Sequence, residues 1–599
     1  MASYGTNVYR GTPKGISGLS GVNFLHVNVI GKFLRGIVDS NGNPVVTENI
    51  FTTTDMERSL GGYNSTYFAP YVIRALFGGL IDRLQGEVEA KCIGFVSGSA
   101  AQAVGAINDI ASTPLKLFDI KAARKNLVDK SAFGNKISYK ILRSETTKLN
   151  LKSDMLTNGT AFTPDSIDNL KVGYFVRFND GTNNVIRSIT AIDTITGIVT
   201  LASGVGVGII FTAALTKVTR IDWNLYIAVD DEKGVPRQKE SWENYPFAKS
   251  SILGIPQATN DLVAGSYYAA LTYATNASTD PDSIPAEVTT WTHLASGSDG
   301  AAPTDSDWLT LGNVMKTYRS AFWLAPESTS TTHNLNMLGI TSSGLYGNYL
   351  VNIPVGATQD TLQNYGNLLR STVQFGEIPG DKRFNTINPT TGDKLNIPNV
   401  GHVASHWFNS FLERGEEWVS AGNDYPIRTN DELVDNGIIA SDAAGNGKRM
   451  IVDYRVNILE NQPGVGIVKK SGRTLSNDGG YMYENQIMQT LLYSEEIRAY
   501  RTKQEQQPGG ADKQRQAQRA VDSFMRKKYD AGKFLIFQKA DKSYSTYEDV
   551  VSVVDDITTT PLADLAVGID TIAFQFKAKP PIEFPNAEIT SLSPTYGLI

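Results

Sequence analysis

Apolar and polar positions change period several times along the chain, and each change predicts a different element. Val22-Asn23-Phe24-Leu25-His26-Val27-Asn28-Val29-Ile30 has no helical period and reads as an extended strand after a Gly- and Ser-rich start. From Thr66 to Leu84, Phe68, Tyr71, Val72, Ala75, Leu76, Leu80 and Leu84 share one face, which predicts an amphipathic helix bounded by glycines. Cys92 to Val96 reads as a short buried strand. Strand patterning runs from Leu115 to Leu142, with a turn at Gly134-Asn135, and returns at Trp223 to Val229. Between these blocks, Val172–Phe178, Val185–Ile192 and Ile198–Leu201 form a β pattern of their own. This predicts a small all-β module, roughly 148 to 220, inserted between two strands of its host, where exposed loop tips tolerate additions. Residues 254 to 300 are polar and read as a long exposed excursion.

After Gly300 helix and strand alternate, which suggests a mostly parallel, helix-covered sheet. Asp305-Ser306 caps a helix with Trp308, Leu311, Met315 and Tyr318 on its apolar face. Ala321–Pro326 and Asn348–Val355 read as strands, and Thr358–Val373 as a helix. Strands are expected at Arg449–Val456 and Gly466–Lys470. Helices follow at Tyr483–Gln504 and Asp512–Tyr529, broken by Gln507-Pro508-Gly509-Gly510. The end is β again, at Phe534–Phe537 and Thr571–Phe576, before Lys579-Pro580-Pro581 and a tail.

At 599 residues the chain is too long for one core, so a multidomain α/β (α+β) protein is expected. Apolar content of 41% and charged content of 19% describe a folded chain. Lys+Arg 55 against Asp+Glu 61 leaves a charge of -6, which argues against direct nucleic-acid binding through bulk charge. Cys92 is the only cysteine, so an intrachain disulfide and thiol-rich zinc sites are excluded. Met1 to Gly36 lacks the layout of a signal peptide. Ile198 to Leu215 is uncharged and approaches spanning length, yet its Gly, Thr and Ser content and its place after a β pattern favour strand-turn-strand. No membrane insertion is expected.

Candidate chemistry is sparse. His402 and His406 have chelating spacing, but Val403 stands where a catalytic Glu would follow, and Gly401 and Pro398 argue for a loop or strand entry. They read as packing or interface histidines. The glycines around Gly464 and Gly204 miss the phosphate-loop and dinucleotide spacings, and Ser298 lacks a nucleophile elbow, so turn chemistry explains Gly297–Gly300 better. No catalytic residue, metal or cofactor is called. The Asp512–Asp530 helix is locally basic through Lys513, Arg515, Arg519, Arg526, Lys527 and Lys528. It reads either as a docking face for an acidic partner or as a solvated surface.

Five landmarks occur in order: Ser296-Gly297-Ser298-Asp299-Gly300, Gly401-His402-Val403-Ala404, Arg414-Gly415-Glu416-Glu417-Trp418, Gly466 to Ser476 with Gly472-Arg473-Thr474-Leu475-Ser476, and Lys579 to Phe584. Together with Phe133-Gly134-Asn135 they resemble the contractile tail sheath proteins of phages and related injection machines. The likeness covers most of 296–599 and, more faintly, Pro70 to Phe247. Lys469-Lys470-Ser471 departs from it, standing where relatives often carry a tryptophan-containing segment.

The resemblance implies a helical homopolymer of stacked rings around an inner tail tube protein, bounded by baseplate and tail terminator proteins. It further implies assembly in the host cytoplasm and contraction without a nucleotide. Its layout would be an N-terminal arm (1–40), a β-sandwich domain (41–147 with 221–253) carrying the inserted module (148–220), an α/β middle domain (254–403), a C-terminal core (404–580) and a second arm (581–599). Val22, Phe24, Val27, Val29, Ile589 and Leu592 would lie on strands lent to neighbours. Arg515, Arg519, Arg526, Lys527 and Lys528 would be candidates to face the tube. Two readings stay open beside it: a non-contractile tube, baseplate or surface-array protein, and a virion-borne envelope hydrolase.

Overall fold

The computed structural model describes residues 25–110, 113–231, 233–245, 265–273, 282–371, 375–423, 425–439, 445–502, 511–554 and 572–581. One sheet is wholly parallel. Its strands are β1 (His26–Gly31), β2 (Glu89–Gly94), β3 (Phe322–Leu324), β4 (Asn348–Leu350) and β5 (Gly376–Glu377), in the spatial order 2-1-3-4-5. The two-residue period of a strand sends Val27, Val29, Phe322, Leu324 and Leu350 into one apolar cluster. Ile30, Trp323 and Tyr349 enter another on the opposite face. Helices α1 (Thr53–Leu60), α2 (Ala69–Gly78), α6 (Val400–Arg414), α8 (Glu484–Thr502) and α9 (Ala511–Asp530) contribute to the first cluster. Helices α3 (Asp305–Met315), α4 (Thr331–Ser343), α5 (Gln359–Leu369) and α7 (Asn446–Val452) supply the second. A parallel sheet covered on both faces explains why its inner strands bury apolar side chains on both sides, with Asn28 and Asn348 as buried polar exceptions and Glu377 another on the edge strand β5.

That sheet corrects one expectation. Val27 and Val29 are not on an arm given to a neighbour. Both are fully buried in the middle of the sheet, hydrogen-bonded between β2 and β3 of their own chain. Val22, Phe24, Ile589 and Leu592 lie outside the described residues, as does the Gln507–Gly510 breaker.

Local signals account for the other differences. The helix expected from Thr66 to Leu84 stops at Gly78 and resumes as one tight turn at Asp82–Leu84. Helix α3 is capped by Thr304, reciprocally with Asp307, rather than by Asp305-Ser306. The segment expected as a strand at Arg449–Val456 is helical through Val452, and Val456 alone bridges in parallel to Ile378. Gly401 and Pro398 open a helix, α6, instead of a loop or strand. Gly401 serves a close approach there: a Cβ on it would sit 2.3 Å from the Val72 carbonyl oxygen.

The β-rich part holds two antiparallel sheets that share one apolar cluster. Ile107, Leu117, Phe118 and Ile120 of one meet Ile137, Tyr139, Trp223 and Leu225 of the other. Its longest strands, Ile137–Asn150 and Lys217–Asp230, are antiparallel neighbours. The chain between them forms strands Phe175–Asn179, Asn184–Ile192 and Val199–Leu201 around a cluster of its own that includes Phe162, Phe178 and Phe211. Part of the polar excursion is strand after all. Ala269–Tyr273 pairs with Lys116–Arg124, and Val288–His293 pairs with Ile137–Asn150. Among the described residues no helix is long and apolar enough to cross a membrane.

Candidate functional site

The sequence landmarks meet at two places. At the first, the Asn135 amide donates to the Gly297 carbonyl at 2.9 Å and its oxygen accepts the Gly297 N–H at 2.8 Å. Asp299 accepts the Ala132 N–H at 2.7 Å, and the Ser298 hydroxyl oxygen accepts that of Ala101. Gly300 has φ +68, and a Cβ on it would meet Ser97 at 2.7 Å, so this turn requires glycine. The Ser298 environment is therefore that of a structural turn. The two segments lie 162 residues apart in the sequence and brace each other.

The second place is the start of α8. The Asn485 amide donates to the carbonyls of Glu417 and Lys579, at 2.9 and 2.8 Å, tying the 414–418 landmark to the 579–584 landmark. One residue earlier, Glu484 accepts from Ser420 at 3.0 Å and pairs with Lys469 at 2.5 Å, while Lys469 lies 3.2 Å from both oxygens of Glu377. All three ionic side chains are fully buried. Asn457 adds a donor to Glu377 at 3.3 Å. One ammonium serves two carboxylates here, a costly arrangement unless every partner is placed. Burial, ahead of the opposing pull of Lys469, raises the Glu377 carboxyl. Burial works to lower the Lys469 ammonium, but the two carboxylates outweigh it and hold it above its ordinary value. The lysine at the point of departure from the resemblance thus has a defined structural task.

A neighbouring network fixes the same helix further along. Glu416 accepts from the Tyr493 hydroxyl at 2.8 Å and pairs with Lys528 at 2.9 Å, and Lys533 reaches Glu417 at 2.7 Å. This corrects the docking role given to Lys528: its ammonium is turned inward beneath the Tyr493 ring. Four further basic positions of α9, Arg515, Arg519, Arg526 and Lys527, are exposed. Of these, Arg526 lies over the Tyr547 ring at 4.1 Å and bonds Glu548 at 3.2 Å.

His402 and His406 lie one turn apart on α6 and are both buried. His402 bonds Asp431 at 2.9 Å and stacks on Phe384 at 3.9 Å between centroids. His406 packs 4.9 Å from Tyr425, and burial, with Lys469 adding to it, lowers its pKa to about 3. Among the described residues no set of three His, Cys, Asp or Glu side chains is placed to hold a metal ion. Sequence reading passed over Glu377, Asn457, Glu484 and Asn485. Each is a single polar residue in its local context, and the only available signal was Lys469, a charge within a strand pattern.

No protein-family model matches the chain, and no curated relative does. In structure the chain is similar to sheath and baseplate proteins of contractile injection systems. One is a chain of the anti-feeding prophage baseplate, at 13% identity and TM-score 0.37, covering 50% of this chain and 76% of that one. Another belongs to the PVC sheath complex of an extracellular contractile injection system in its contracted state, at 15% identity and TM-score 0.38, covering 47% and 74%. A third is the anti-feeding prophage helical sheath in its contracted state, at 14% identity and TM-score 0.35, covering 49% and 76%.

Proposed function

We propose that this chain is a structural, non-enzymatic subunit of a contractile tail sheath. It polymerises helically around an inner tail tube protein, meets baseplate and tail terminator proteins at its ends, and contracts to drive the tube through a target envelope. One observation carries the reading. Landmarks that resemble sheath proteins in sequence order are also hydrogen-bonded to one another, through Asn135 with Gly297 and through Asn485 with Glu417 and Lys579. Motifs retained by chance in turns would have no reason to meet.

In this reading the segment up to Phe24 and the tail holding Ile589 and Leu592 lend strands to neighbours, making a heterologous, open-ended contact. The two-stranded sheet Val551–Val554 with Ala573–Phe576 is the acceptor: neither strand has another strand partner among the described residues. Arg515, Arg519, Arg526 and Lys527 on α9 meet an acidic tube surface. Energy is stored in the lattice during assembly and released when the barrier between two packings falls.

The test is negative-stain electron microscopy of the purified full chain, beside a version lacking residues 1–24. Hollow, helically striated tubes from the full chain and none from the shortened one are expected. Compact monomers from both, at high concentration and with the tube protein added, would overturn the proposal.

A further inference from the structure

The 2-1-3-4-5 order makes β1 and β3 the neighbours from which the chain departs in opposite directions. In an open parallel sheet the crevice beyond the carboxyl ends of such a pair is where ligands, above all phosphates, are held, often at a helix N-terminus. Here that crevice contains a side chain. Glu327, three residues past β3, projects to the start of α2, where its Oε1 accepts the N–H groups of Phe68 at 2.9 Å and Ala69 at 2.8 Å. Phe68, the N-cap of α2, supplies no side-chain cap, so the distant carboxylate does that work.

The site is built for it from several sides. Gly31, the last residue of β1, leaves the room: a Cβ there would lie 2.8 Å from Glu327 Oε2. That second oxygen is out of contact with solvent and makes no hydrogen bond. The Asn352 amide donates to the Pro326 carbonyl at 2.6 Å and so holds the turn that aims Glu327. Arg383, buried and bonded to Asn352 and Ile353, stacks its guanidinium 5.1 Å from the centre of the Phe68 ring.

We propose that this crevice is an oxyanion site filled by the chain's own Glu327 carboxylate, which does for the sheet what a bound small carboxylate or phosphate does in a ligand-holding relative of the topology. The switch point is thereby closed, and a nucleotide has no place to enter it. The inference stands on the sheet and not on the sheath reading, so either can fail alone.

Removing the side chain beyond Cβ should open the site to a small anion. Burial pushes the Glu327 carboxyl up to about 7, against backbone N–H groups of Ala69, Lys32, Glu327 and Phe68 that favour the anion. The comparison therefore belongs at about pH 8, where the carboxylate predominates. Full-length wild type, E327A and E327Q would be melted in sodium formate and in sodium chloride of equal ionic strength. E327A should melt below wild type in chloride and regain most of the loss in formate, whereas wild type and E327Q, whose amide still fills the space, should not distinguish the salts. An E327A chain as stable as wild type, or a formate effect equal in all three, would overturn the proposal. If E327A accumulates only unfolded, its refolding yield in the two salts gives the answer: a formate-dependent yield supports the site, and equal yields refute it.

Discussion

Asn135 and Gly297 exchange hydrogen bonds in both directions, the side-chain amide of one with the backbone of the other. An amide side chain used this way substitutes for a strand neighbour and fixes where the 296–300 turn leaves the β-rich part. In N135A the Gly297 N–H and carbonyl lose both partners. A loss of about 1–3 kcal/mol is expected, the usual cost of stranding partly buried backbone groups. Chemical denaturation of N135A against wild type reads it.

Lys469 sits between Glu377 and Glu484 with all three side chains buried. K469M leaves Glu484 and the ionised form of Glu377 without their cation and should cost about 3–5 kcal/mol, whereas K469M combined with E377Q and E484Q should recover much of the loss. Denaturant midpoints of the single and triple variants decide it, since a lysine that only filled space would show no such recovery.

Because burial raises the Glu377 carboxyl, the folded chain holds a proton that the unfolded chain releases. That contribution to stability is complete below the ordinary glutamate value and is lost as pH rises through the raised one. His406 works on the acid side. Its stabilising neutral form is fully favoured above 6.5 and is lost as pH falls toward about 3. Melting temperature against pH should therefore lose part of its alkaline slope in E377Q and part of its acid slope in H406F.

Gly401 lies against the Val72 backbone, with no room for a methyl group. G401A forces α6 away from α2 and should destabilise by about 1–3 kcal/mol, the range of overpacked cores. A second-site change at Val72 would not relieve it, because the clash is with main chain. Thermal melting of G401A and of G401A/V72A tests both halves.

On α9, Arg519 and Lys527 are exposed, and Lys528 is bonded to Glu416. Charge reversal of the first two should leave the stability of the lone chain nearly unchanged, within about 0.5 kcal/mol by denaturant unfolding. It should reduce co-sedimentation with the tube protein. K528E should instead lower the melting temperature, since it places two like charges in one buried site.

Periodicity located helices α3 and α5, whose apolar positions recur at one face, and part of the strands; α8 and α9 read as helical stretches without an assigned face, and the strands at Pro236–Tyr245, Phe384–Ile387, Lys394–Ile397 and Val551–Val554 went unread. It missed α4, where Asn334, Thr341 and His333 are buried among apolar residues, so no clean stripe exists to read. It misread Arg449–Val452 as strand because a short apolar run has no distinguishable period. Lys528 looked like surface because charge is exposed by default, and only Glu416, 112 residues earlier, makes its burial affordable.

What the sequence determined by itself was the alternation of helix and strand after Gly300, the separate β pattern between 148 and 220, and the ordered landmarks. These are local properties, set by side-chain period and turn chemistry within a few residues. The tertiary structure alone decided that β1 lies at the middle of a parallel sheet, that Asn135 meets Gly297, that Lys469 is shared by two carboxylates, and that Glu327 caps α2. Each depends on a partner dozens to hundreds of residues away, and the pairing energy of buried polar groups comes from where the chain brings them, which no local pattern encodes.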